Sequence, residues 1–156
     1  DELVAFLKKQ IEIENEIVKV SEESVNLLRN VLIRELIRGI ATDSHKHAMI
    51  LNAVIGLLSK PTPLIEEEDR EKIGESIKRH VKMEAEAIKV YKELAEKHKD
   101  DEKLRLIFEY LHADEVRHHA LLTRIDKMIV EKETLSEDDM WDMVWKYSPF
   151  HGSPGG

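Results

Sequence analysis

Glycine and proline, the residues that break helices, number only 6 and 4 among 156. Most of them crowd into SKPTPLIEE at 59–67 and SPFHGSPGG at 148–156, leaving long uninterrupted stretches between. Apolar residues recur at helical spacing in each stretch, so the chain is all-α. Val4, Leu7, Ile11, Val18, Val25 and Leu28 mark a first helix, and Ile33, Leu36, Ile40, Leu51, Val54 and Leu58 a second. Their junction near 26–30 carries little signal. Ile73, Ile77, Val81, Ile88, Tyr91 and Ala95 mark a third helix, and Leu104, Phe108, Leu111, Leu122, Ile125 and Ile129 a fourth, with KHKDDEK as the polar turn between them. A fifth, short helix is expected at 137–147, where Ser136 and Asp139 read as an acidic capping box.

Every one of the four apolar stripes is broken by polar residues near its middle. Glu14 fills the gap between Ile11 and Val18, Glu84 the gap between Val81 and Ile88, and Glu115 with His118 the gap between Leu111 and Leu122. In the second helix Asp43, Ser44 and His47 stand where leucines are expected. Mid-helix positions are the driest in a bundle, so these residues are expected inside it rather than at frayed ends or solvated rims.

A repeat orders them. KQIEIENEIVKV (9–20) laid over RHVKMEAEAIKV (79–90) pairs Glu14 with Glu84, Glu16 with Glu86, Lys19 with Lys89 and Val20 with Val90 at an offset of 70. DSHKH (43–47) then falls on DEVRH (114–118) at an offset of 71. The chain reads as one helix pair, duplicated, with Ser44 in the place of Glu115. A Glu from each of two helices plus Glu-x-x-His from each of the other two is how a four-helix bundle builds a di-iron or di-manganese carboxylate site. The i, i+3 spacing serves this because both side chains share one helix face.

The residues resemble the ferritin-like superfamily. Asp114-Glu115-Val116-Arg117-His118 matches the D-E-x-R-H motif of its oxygen-activating di-iron members, such as methane monooxygenase hydroxylase and acyl carrier protein desaturase. In size the chain is more similar to the small rubrerythrin or erythrin type. The resemblance implies a ferritin-like four-helix bundle over residues 1–132 with a crossover between helices 2 and 3, followed by a short C-terminal helix and tail at 133–156. It implies Glu14 and Glu84 as terminal carboxylates, Glu115 as a bridging carboxylate, and His47 and His118 as nitrogen ligands. Asp43 and Asp114 would each orient a ligating histidine of a neighbouring helix. The connection from Ser59 to about Arg70 suits the crossover, since about 11 residues at about 3.3 Å each span about 36 Å.

Ser44 departs from the pattern. Glu14, Glu84 and Glu115 supply three negative charges with two neutral imidazoles, which leaves two ferrous ions one positive charge in excess. A hydroxide, a bridging solvent or Asp43 moving inward restores the balance; so does a single ion. The cofactor implied is therefore iron, two ions or one, with manganese or zinc as substitutes, and the activity implied is that of a rubrerythrin-like peroxidase or a ferroxidase acting on peroxide, oxygen or iron(II). The competing reading is a non-enzymatic helical interaction protein with a vestigial or mononuclear site.

Composition sets the remaining bounds. The 42% hydrophobic content supports a core of ordinary size, and a formal charge of −8 without any Lys/Arg block argues against nucleic acid as a partner. There is no cysteine, so thiolate metal sites and disulfides are excluded, and a peroxidase would draw electrons from a separate donor protein. No apolar run reaches about 18 residues, and DELVAFLKKQ lacks a signal-peptide pattern, so a cytoplasmic protein away from membranes is expected. His80, one turn before Glu84, and His112 lie at stripe edges and are expected to be solvated, as are His45 and His98; His119 points off the seam, and Tyr91 packs in the core. Trp141 and Trp145 share a face that suits packing on the bundle or a homodimer interface.

Overall fold

The computed structural model describes residues 1–60 and 67–131. They form four α-helices and, among the described residues, no strand: α1 (Glu2–Leu27), α2 (Val31–Ser59), α3 (Glu67–Lys97) and α4 (Glu102–Glu131). No helix among them is long and apolar enough to cross a membrane.

The chain divides into two compact units, residues 1–64 with the α1–α2 hairpin and residues 65–156 with the α3–α4 hairpin. In the first, the poorly signalled junction is a three-residue turn. Leu28 caps α1 in an extended conformation, and the Asn30 side chain accepts the Ile33 N–H at 3.0 Å to start α2. In the second, Asp101 accepts from Lys103 N–H at 3.1 Å and Leu104 N–H at 3.2 Å, closing off two donors that the first turn of α4 would leave unmet. Both turns are short, so each helix pair is antiparallel.

The expected stripe of α1 is the one that packs. Leu7 and Val25 are buried, Ser21 is buried with them, and Val4, Ile11, Glu14 and Val18 are half-buried between. On α3 the expected stripe holds too, and Gly74 is buried at its N-terminal end, where an added Cβ would stand 3.9 Å from Ile129 Cγ2 of α4. On α4 the stripe from Phe108 to Ile129 holds apart from His118, which is exposed; Leu104 is 39% exposed.

Helix α2 bears out its expected stripe in part. Leu36, Leu51 and Val54 are half-buried, whereas Ile33, Ile40 and Leu58 are 46%, 53% and 50% exposed. The face that packs runs through Ile37, Ala41, Ser44, Ala48, Leu51 and Ile55. This helix is apolar over most of its circumference, so periodicity alone admits two faces. The one carrying Ala41, Ser44 and Ala48 lets the helix axes approach more closely.

Of the expected connection from Ser59 to about Arg70, Ser59 and Glu67 to Arg70 are helical, ending α2 and starting α3. Residues 61–66, and with them the crossover, lie outside the described residues. So do the helix at 137–147, Trp141 and Trp145.

Candidate metal centre

The D-E-x-R-H string lies in the middle of α4, where the helix repeat turns Glu115 and His118 onto one face and leaves Asp114 and Arg117 beside it. Across the seam, α3 presents Glu84. His118 Nδ1 lies 3.6 Å from Glu115 Oε2 and 3.8 Å from Glu84 Oε1, and one donor atom from each of the three residues falls within 4.8 Å of the others. The Glu84 side chain is 13% exposed, Glu115 22% and His118 52%, so two sheltered carboxylates meet an imidazole at the edge of the seam.

These separations are too long for direct hydrogen bonds. Donor atoms about 2.1 Å from one ion stand about 3 to 3.5 Å apart, so the group converges on a space of the right scale for a small cation. Two carboxylates and a nitrogen also suit iron, manganese or zinc in chemical type.

The α1–α2 hairpin repeats the motif in reduced form. His47 Nδ1 lies 3.4 Å from Glu14 Oε1, with Glu14 12% and His47 51% exposed. Those exposures nearly equal those of Glu84 and His118, so the internal repeat extends to side-chain environment. At the position equivalent to Glu115 stands Ser44, 5% exposed and packed into the seam. The structure thus brings Glu84, Glu115 and His118 together in one hairpin and Glu14 with His47 in the other.

Asp43 pairs with Lys46 at 3.1 Å, and Asp114 with Arg117, each with the base three residues along its own helix. Their role of orienting histidines stays an implication of the resemblance. His80, expected to be solvated, is half exposed yet bonded: its Nε2 is 3.1 Å from Glu84 Oε1. Its i, i+4 spacing from Glu84 was the available signal. His98, also expected at the surface, is half-buried against the Phe108 ring at 5.8 Å between centroids, drawn in because the α3–α4 turn folds it over the start of α4. Tyr91 is half-buried as core packing requires, and His45 is exposed.

The chain matches no protein-family model, and it matches neither a curated protein nor a solved structure.

Proposed function

We propose that this chain is a metal-binding protein of ferritin-like, rubrerythrin-type character, a non-haem oxidoreductase acting on peroxide, oxygen or iron(II). The observation that carries the reading is the convergence of Glu84, Glu115 and His118 across the α3–α4 seam. Glu84 and Glu115 would hold the ion through oxygen and balance its charge, and His118 would hold it through neutral imidazole nitrogen. Glu14 and His47 are the further ligands of the reading, supported by the same Glu–His pairing in the α1–α2 hairpin. Iron bound there supplies one-electron redox chemistry; manganese or zinc fit the same donors. The sheltered position of Glu84 keeps water from competing for its oxygens, and the half-exposed His118 leaves a side from which a small oxidant can approach. With no cysteine in the sequence, electrons come from a donor outside it.

A second reading is favoured by Ser44. Its burial where the repeat calls for a carboxylate supports a helical interaction protein that keeps a single-ion site without turnover. Metal content per chain, by plasma mass spectrometry after anaerobic loading with iron(II), separates the two. Near two irons, with peroxide or oxygen consumption by the reduced protein, is the expected result. Near one, without turnover, supports the second reading. No iron, manganese or zinc after separate loading trials overturns both.

A further inference from the structure

Glu84 stands between two imidazoles. Its Oε1 is 3.1 Å from His80 Nε2 on its own helix and 3.8 Å from His118 Nδ1 on α4. Only the first is a hydrogen-bond distance. An ionised carboxylate can only accept, so the bond requires His80 to carry its proton on Nε2 and donate it. The spacing of four residues makes the contact intrinsic to α3, because i and i+4 side chains stack on one face one turn apart.

A glutamate has three rotatable bonds, and a free one samples several rotamers before it can bind an ion. His80 restricts that freedom: it occupies one lone pair of Oε1, the same oxygen that stands 3.8 Å from His118 Nδ1. The offset of 70 that pairs Glu14 with Glu84 pairs Gln10 with His80, and Glu14 has His47 as its imidazole neighbour.

We propose that His80 is the positioning residue of the metal centre, a hydrogen-bond donor that fixes the Glu84 carboxylate for the ion without itself being a ligand. The proposal rests on the metal-binding reading given above and names a residue outside its ligand set. Partners that hold a ligating group in place are worth about 10- to 100-fold in metal affinity.

The test is anaerobic calorimetric titration of the full chain with cobalt(II), with visible absorption of the bound ion followed in parallel. Three variants are compared: His80→Ala, His80→Phe and His80→Gln. The side chain is half exposed, so all three fold, as circular dichroism would verify. The expected result is about 10- to 100-fold weaker binding in His80→Ala and His80→Phe, with recovery in His80→Gln, whose amide N–H reaches about as far as Nε2. Recovery in His80→Phe instead of His80→Gln would mean that the ring only packs, and would overturn the proposal. So would wild-type affinity in all three variants. A shift of the cobalt bands in His80→Gln to those of a site with one nitrogen fewer would overturn it in favour of His80 as a ligand. These failures leave the metal-binding reading standing; a wild-type chain that takes up no cobalt removes that reading together with the proposal.

Discussion

Glu84 and His118 meet across the α3–α4 seam with Oε1 and Nδ1 3.8 Å apart, and Glu115 closes the third corner at 3.6 Å from the same nitrogen. At such distances the three groups do not hydrogen-bond one another. Two negative charges held together in a partly sheltered seam repel, and a divalent cation between them removes the repulsion. An ion held there would therefore couple metal binding to folding stability in the α3–α4 hairpin.

The coupling is measurable as a metal-dependent melting temperature. At an ion concentration 100 times its Kd, manganese(II) or cobalt(II) should stabilise the chain by about 2.7 kcal/mol, and chelator should reverse the gain. Glu115→Ala should abolish the metal-dependent part while leaving a helical, cooperatively unfolding protein. Equal melting shifts in wild type and Glu115→Ala would place the ion elsewhere.

Ser44→Glu would restore the carboxylate that the repeat lacks. Because Ser44 is only 5% exposed in the α1–α2 seam, a glutamate there should destabilise the metal-free protein by more than about 2 kcal/mol, through burial of an unpaired charge. Urea unfolding in the presence of chelator is the measurement. An unchanged midpoint would mean that the new side chain reaches water without disturbing the seam.

Gly74→Ala should do the opposite. The added methyl would meet Ile129 Cγ2 at 3.9 Å, an ordinary contact, and α3 would exchange a poor helix former for the best one. We expect a gain of about 0.5 to 1 kcal/mol, read from the urea midpoint at constant slope.

The α1–α2 turn depends on one cap. Asn30→Ala removes the acceptor for the Ile33 N–H and should cost about 1 kcal/mol, whereas Asn30→Asp should cost little. Hydrogen exchange at the first turn of α2 would show whether the loss is confined to that end, as a capping effect requires.

Much of this molecule is readable because helix geometry is local. The heptad of α1 predicts its own packed face, with Glu14 in register between Ile11 and Val18, and the spacing of Glu115 and His118 places both on one face of α4 without reference to any other helix. Asn30 was legible in principle, an N-cap residue directly before an apolar run, but the apolar Leu27 and Leu28 on one side and Val31 on the other hid the break.

What the sequence determined by itself is the four described helices, the internal repeat and the candidate donor residues, all of which follow from spacings of three, four and about 70 residues along one chain. Tertiary structure alone decided which side of the α2 stripe packs, since apolar residues flank it on both sides; Ala41, Ser44 and Ala48 admit a closer approach than Ile33, Ile40 and Leu58. It decided the triangle of Glu84, Glu115 and His118 for the same reason: distances across a seam are set by how two helix surfaces interlock and which rotamers that leaves open. It also set His80, exposed as expected, beside Glu84 Oε1, the oxygen that meets His118 across the seam.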